Sequence, residues 1–205
     1  MRFENDDKIY PYCPFITRIV EVGGLTKSQL IQKLQQYSIL MNEYGEKLFA
    51  DDKFTTSNKK YSLQTVELTV GNLGFPDGAN TDRIFKRANE LGLKLCPLEL
   101  GPHLRMEYLD QLEGYSGNPL KQQQAPSGSV TIASEILTED DEFPKGFYLR
   151  RMNGVLWLRG YCADHLHVWN PNDHFIFCEK IPQDNYNEFE NVNKMNALLK
   201  QKEQM

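Results

Sequence analysis

Cysteine is scarce in this chain. Cys13, Cys96, Cys162 and Cys178 are the only four in 205 residues and form no C-x-x-C pair. That spacing fits neither a zinc ribbon nor a disulfide framework. Phosphate-loop motifs are missing too: no Gly-Lys dipeptide occurs, so there is no G-x-x-x-x-G-K-[ST], and G-x-G-x-x-G, G-x-S-x-G and H-E-x-x-H are also absent. ATP-driven motor chemistry of the P-loop type is excluded on that ground. No apolar run approaches the roughly 20 residues that cross a bilayer. The acidic start MRFENDDKIY lacks the basic and apolar regions of a secretory signal, and no N-x-[ST] sequon occurs. These absences predict a reduced, cytoplasmic protein with no membrane contact, no cofactor and no metal.

What is present is ordinary globular material, 40% hydrophobic, 25% charged and 11% aromatic. The aromatic content excludes a wholly disordered chain, because so many rings bury more apolar surface than a disordered composition contains. A net charge of -5, from 23 Lys+Arg against 28 Asp+Glu, excludes a strongly basic nucleic-acid binder as a description of the whole chain.

The first part, residues 1–113, reads as helices with a strand or two. Thr26 and Gln29 have capping-box spacing. Leu30, Ile31, Leu34 and Tyr37 follow at helical intervals. A second helix is predicted over Asn42 to Ala50, burying Tyr44, Leu48 and Phe49. Val66, Leu68 and Val70 alternate with Thr65, Glu67 and Thr69 as a half-buried strand. After the turn cluster Gly74-Phe-Pro-Asp-Gly78, an Asn80/Thr81 cap opens a third helix ending at Gly92, with Ile84, Phe85, Ala88 and Leu91 inward. Pro97, Gly101 and Pro102 argue against helix, and Leu104, Met106 and Tyr108 alternate as a further strand.

Residues 114–129, GYSGNPLKQQQAPSGS, have no periodicity and read as a long loop or linker. Residues 130–182 then read as a compact antiparallel β part, with strands at Val130/Ile132, 147–152, 155–161 and Phe175–Phe177. The acidic run Glu139–Glu142 is predicted as a solvated turn. The polar stretch 183–205 has weak helical spacing. The fold class is therefore α+β. Two domains or one fused unit both fit, and fusion is favoured because each half offers few core residues.

Asn153-Gly154 between two apolar-alternating runs is a strong hairpin signal. A two-residue turn there sets Arg150 opposite Trp157, Leu149 opposite Leu158 and Tyr148 opposite Arg159. Phe147, Leu149, Leu156 and Leu158 then share a core face with Arg151, and Tyr148, Arg150, Trp157, Arg159 and Tyr161 share the other. A following strand through His165, His167 and Trp169 would extend this second face. No acidic residue lies between Lys145 and Tyr161. Such arginine–aromatic pairs stabilise an exposed sheet by roughly 0.5–1 kcal/mol with no ligand at all. They are also what an anionic, planar ligand needs, guanidinium for the charge and rings for stacking, and what a protein partner surface uses.

Two polar clusters remain. On a strand His165 and His167 would point the same way, with His174, Asp164 or Asp173 as a third metal ligand, but the spacing matches no zinc pattern. Surface or hydrogen-bonded histidines are the expectation. Glu99, His103, Arg105 and Glu107 offer acid–base groups, with Arg105 and Glu107 read as an exposed, ion-paired strand face and Arg105 as a third anion-holding arginine.

The segments GFPDGA (74–79), LCPLELGPHLRMEYLDQ (95–111), PKGFYLRRMNGVLWLRGY (144–161) and VWNPNDHFIF (168–177) resemble a family of small uncharacterised bacterial proteins, from Bacillus-type and related genomes, that often carry the label "helicase" without helicase motifs. The resemblance covers about residues 17–178 and brings no activity with it. Its pattern centres on the arginine–aromatic hairpin and on Trp169, Pro171 and Asp173, and it does not require His165 or His174.

The sequence thus predicts a non-enzymatic binding protein that contacts an anionic small molecule or a protein partner through Tyr148, Arg150, Trp157, Arg159, Tyr161, Arg105, His167 and Trp169. A small enzyme acting on a phosphorylated or nucleotide-like substrate is the alternative, with His103 or His167 moving protons. A nucleic-acid accessory module is the third and least favoured reading.

Overall fold

The computed structural model describes residues 10–114 and 125–179. The elements run β1 (Ile16–Val22), α1 (Lys27–Gln36), β2 (Leu40–Met41), α2 (Glu43–Ala50), β3 (Tyr61–Thr69), β4 (Ala79–Asn80), α3 (Thr81–Glu90), β5 (Leu93–Lys94), α4 (Leu100–Glu107), β6 (Val130–Ile132), β7 (Gly146–Met152), β8 (Val155–Tyr161), β9 (Val168–Trp169) and β10 (His174–Glu179). Local chemistry accounts for the helix starts. Thr26 and Gln29 close a reciprocal capping box on α1, and Asn42 and Asn80 accept the N3 amides of α2 and α3.

One mixed sheet organises the molecule in the order β1-β3-β10-β6-β7-β8-β2, with β5 also pairing to β10. β6 lies parallel to β10, and β2 lies parallel to β8. Side chains alternate across this sheet, so each strand feeds two cores. Val20, Val22, Ile132, Phe147, Leu149, Leu158 and Ile176 face α1, α2 and α4 through Leu30, Leu34, Leu48, Phe49, Leu100 and Leu104. Val66, Leu68, Phe175 and Phe177 face the opposite way, against Ile84 and Ala88 of α3 and against Trp169. A separate two-stranded ribbon, β4 with β9, clamps the start of α3 over this second face, and the Trp169 indole N–H donates to Thr81 Oγ1 at 2.9 Å.

Several expectations are corrected. Residues 104–108 are not a strand: Leu100 and Leu104, four apart on α4, are both fully buried. Pro102 misled the reading, because in the first turn of a helix its missing N–H would have had no intrahelical partner anyway. Arg105, expected on an exposed face, is 0% exposed. β3 is not half-buried, since Thr65, Val66, Glu67 and Leu68 are all buried and the sheet is covered on both faces there. Tyr37 is exposed instead of completing the α1 stripe. The C-terminal strands do not form their own antiparallel unit, because β10 inserts between β3 and β6 and pairs parallel to β6. Gly114 meets Ser127 and Gly128 in space, so the two ends of the 114–129 segment come together; its residues 115–124 and the stretch 183–205 lie outside the described residues.

Candidate ligand cavity

The site grows from β7 and β8. Asn153 and Gly154 both have positive φ, 52° and 74°, the conformation a two-residue turn requires and one that glycine adopts without steric cost. The two strands pair antiparallel with Tyr148 opposite Arg159, Arg150 opposite Trp157 and Gly146 opposite Tyr161. Phe147, Leu149 and Leu158 enter the helix-covered core. Tyr148, Arg150, Trp157, Arg159 and Tyr161 therefore share the other face. The Arg159 guanidinium lies near two rings, 5.0 Å from the Trp157 centroid and 6.0 Å from that of Tyr148.

This face continues into the second core as a chain of rings. Tyr148 meets Tyr161 edge-on at 6.5 Å, Tyr161 meets Trp169 at 5.6 Å, and Trp169 meets Phe175 at 4.8 Å. His167 packs edge-on against Trp169 at 4.6 Å. Where the chain of rings passes β6 and the start of α2, it borders a half-open pocket of about 220 Å³. Tyr148, Arg159, Tyr161, His167 and Trp169 line it, joined by Ser129 and Thr131 from the start of β6. Asn42, Tyr44, Ala125, Pro126, Gly160 and Cys162 complete the wall.

Ser129, 5% exposed, has a buried Oγ without a hydrogen-bond partner among the described residues. The same is true of Arg159 Nε and His167 Nε2. Among the described residues of the wall Arg159 is the one charged side chain, and none carries a carboxylate. Burial pushes the Tyr148 phenol above its ordinary value, although the neighbouring Arg159 and Arg150 pull it down. Burial alone raises Tyr161, so both hydroxyls stay protonated and can donate. Burial also pushes His167 below its ordinary value, against the pull of Asp173 and Asp164, and keeps the imidazole neutral. The arrangement presents one cation, neutral donors and flat apolar walls to whatever enters.

Five of the eight residues singled out from sequence thus line one cavity. Arg150 and Trp157 share the face but sit nearer the turn, outside the cavity wall. Arg105 is elsewhere, inside the core, where its guanidinium donates to Gln111 Oε1 and to the Tyr108 carbonyl. Burial lowers its pKa to about 10, which leaves it charged at neutral pH. The strand expected through His165 is only Val168–Trp169, and His165 lies exposed in a turn, so the two imidazoles do not share a strand face. His174 bonds instead to Glu67, Nδ1 to Oε1 at 2.9 Å. Ser129 and Thr131 were missed. The alternation around Val130 and Ile132 places them opposite the apolar pair, but only the pairing of β6 with β7 brings that side next to Tyr148.

Glu99 and His103 are occupied elsewhere. Glu99 accepts from the Tyr61 hydroxyl at 2.7 Å and the Ser57 amide at 3.0 Å, and His103 Nε2 accepts from the Gly23 amide at 3.2 Å. They pin two loops beneath the sheet. Glu107 reaches from α4 to the outer edge of β1, where it accepts from the Glu21 amide at 3.3 Å.

No family model, curated protein or solved structure matches this chain. No helix among the described residues is long and apolar enough to cross a membrane.

Proposed function

We propose that this chain is a cytoplasmic, non-enzymatic binding protein that holds a small anionic ligand in the Tyr148–Arg159–Trp169 cavity. One observation carries the reading: Tyr148, Arg159, Tyr161, His167 and Trp169 line one half-open pocket of about 220 Å³ in which, among the described residues, Arg159 is the only charged side chain. A cation with no carboxylate among the described lining residues favours an anion. The resemblance to small bacterial proteins belongs to this proposal and adds no activity to it.

A small enzyme working in the same cavity is the second reading. It is favoured by His167, a neutral imidazole that lines the same pocket as two protonated phenols. Arg105 would take no part in it. Contact with nucleic acid through the hairpin face is disfavoured by the 9% exposure of Tyr148, which takes one of the hairpin's rings away from a stacking base.

Native mass spectrometry of the untagged full-length protein, isolated from cells in low salt, tests the binding reading. A small molecule retained by the wild type and lost from Arg159→Met supports it. A clean apo mass, together with no thermal shift from a panel of small carboxylates, phosphates and sulfates, overturns it.

A further inference from the structure

At the end of the sheet far from the hairpin, β1 is an edge strand that is covered along only part of its length. Among the described strands it pairs with β3 alone, from Ile16 opposite Glu67 to Val22 opposite Tyr61. In an antiparallel ladder successive residues turn their N–H and C=O groups to opposite sides. Arg18 turns inward, its carbonyl accepting from Thr65 Oγ1 of β3 at 3.2 Å. Glu21 and Gly23 turn outward, and α4 takes both amides: Glu107 Oε1 accepts the Glu21 N–H at 3.3 Å, and His103 Nε2 accepts the Gly23 N–H at 3.2 Å. Two side chains four apart on a helix are separated by about 6 Å along its axis, close to the ~6.8 Å between alternate residues of a strand. α4 ends at Glu107. By the same alternation Ile19, Thr17 and Phe15 also turn outward, and no described residue bonds to them there.

From this open stretch we infer that β1 is the pairing site for a second copy of the chain. The two β1 strands lie antiparallel about a two-fold axis at Thr17, and the sheet runs on from one copy into the other.

The chemistry of the edge is that of a strand meant to be paired. Natural edges are blunted by lysine, proline or a bulge. Residues 15–19 contain neither lysine nor proline, and the register with β3 is unbroken from Ile16 onward. Arg18, the one charge there, is neutralised by Glu67 at 2.8 Å. Phe15, Ile16 and Ile19 are left 41%, 49% and 53% exposed.

Self-complementarity selects a second copy as the occupant. A two-fold axis at Thr17 sets Thr17 opposite Thr17 of the second copy, and Phe15 and Ile19 of each copy opposite Ile19 and Phe15 of the other. All of these residues turn outward, so each opposed pair exchanges both its N–H···O=C bonds. Threonine pairs and aromatic–β-branched pairs are among the combinations that stabilise adjacent strands. On the other face Arg18 lies opposite Ile16 of the second copy. An axis at Arg18 would instead set two guanidinium groups against each other, which is destabilising. An axis at Ile19 would bring Thr17 onto Glu21 and displace Glu107. Only the Thr17 register keeps both α4 caps. Ahead of Phe15 the chain leaves the edge, with Cys13 buried in the second core, so pairing stops where the second copy's own α4 begins to cover its edge. Five paired residues span about 17 Å, less than an interface of ~800 Å² per partner needs. Tyr12, 89% exposed next to the paired stretch, enlarges the contact, and the dimer belongs to the weak, concentration-dependent class.

Sedimentation velocity of the untagged full-length protein, from about 5 to about 500 µM, tests this. The sedimentation coefficient should rise from that of a monomer towards that of a dimer across the range. Ile19→Lys, which adds the charge that blunts natural edges, should weaken association at least ~10-fold, as should Thr17→Lys. Both positions are exposed, so neither change disturbs the core. In a Cys162→Ser background, which removes the exposed native thiol, Thr17→Cys should form a disulfide-linked dimer with oxidised glutathione, because opposed residues about 5.5 Å apart at Cα fit a disulfide. Ile19→Cys should not. Hydrogen exchange at the Thr17 and Ile19 amides should slow as concentration rises. A monomer at the highest concentration overturns the proposal, and so does a dimer indifferent to both lysine variants. Cross-linking through Ile19→Cys without Thr17→Cys overturns the register. Protection of the two amides in a monomer, equal at every concentration, would mean that the same chain fills its own edge and would overturn the second copy as occupant.

Discussion

Asn42 and Gly160 are joined twice: the Asn42 amide donates to the Gly160 carbonyl at 3.0 Å, and Asn42 Oδ1 accepts the Gly160 N–H at 2.8 Å. The same Oδ1 accepts the Gly45 N–H at 3.0 Å. One side chain therefore caps α2 and extends the β2–β8 pairing past Leu158. The two backbones approach so closely that a Cβ on residue 160 would come within 2.5 Å of the Tyr44 carbonyl carbon and 2.7 Å of the Gly45 nitrogen. This junction forms one wall of the cavity.

Asn42→Ala is expected to lose a helix cap, worth about 1 kcal/mol, and to leave backbone groups of a buried glycine unpaired, at about 1–3 kcal/mol. The total loss should be about 2–4 kcal/mol in urea denaturation. Asn42→Asp keeps the acceptor and loses the donor, so it should fall between wild type and Asn42→Ala. A loss for Asn42→Ala under about 0.5 kcal/mol would show that the double bond to Gly160 contributes nothing to stability.

Gln111, 1% exposed, ties three elements at one point. It accepts from Arg105 and donates from Nε2 to the Gly128 carbonyl at 2.9 Å and the Leu149 carbonyl at 3.2 Å. Gln111→Met keeps the volume while taking one of two acceptors from the buried Arg105 guanidinium and the side-chain donor from two carbonyls, so it should cost about 2–4 kcal/mol. Hydrogen exchange at the β6 and β7 amides should accelerate in step. If Gln111→Met matches wild-type stability, the bridge is only space filling.

On the helix-covered side of the sheet Glu67 is buried on β3 and held by Arg18 at 2.8 Å and His174 at 2.9 Å, with the Arg18 guanidinium 4.1 Å from the Tyr108 ring centroid. Burial pushes the Glu67 carboxyl up, but the hydrogen bonds from His174 and Arg18 outweigh it and bring the group below its ordinary 4.5. A carboxyl whose folded value lies below its unfolded value contributes stability above about pH 4.5 and loses it as pH falls through the folded value. Asp173, lifted by burial, acts with the opposite sign, so the readout is a difference. Wild type should be more stable than Glu67→Gln by about 1–3 kcal/mol at pH 7, and the gap should close below pH 4.5 in acid–urea titrations. A gap independent of pH would refute the assignment.

Much of this was legible in the sequence because it is local. Thr26 with Gln29, Asn42 and Asn80 mark helix starts by side-chain chemistry that acts over three residues, and the positions on either side of Asn153-Gly154 alternate visibly. α4 was misread for a local reason as well, Pro102 being taken as a breaker where the first turn tolerates it. What could not be read is long-range. Nothing near Glu67 says that β1 and β10 flank it with Arg18 and His174. Nothing near Ser129 says that β6 will lie against β7. The site residues found in advance were those on one hairpin. The ones missed come from strands and helix ends brought together only by the sheet order.

His103 gives the last expectation, again through pH but in a different window. Its Nε2 accepts the Gly23 N–H, so the imidazole must be neutral at that nitrogen in the folded protein. Burial pushes its value below the ordinary 6.5; Glu99 pulls it up, and Lys33 and Lys60 push it further down. The unfolded chain therefore takes up a proton at a pH where the folded chain does not, and stability present above about pH 6.5 is lost as pH falls towards the folded value. His167, lowered by burial in the same way, adds to the slope. His103→Gln keeps an acceptor for Gly23 and cannot titrate. Its urea midpoint, measured from pH 7.5 down to pH 5, should fall less than that of wild type, and His103→Gln with His167→Gln should fall least. Parallel profiles for wild type and both variants would mean that neither histidine is held neutral by the fold.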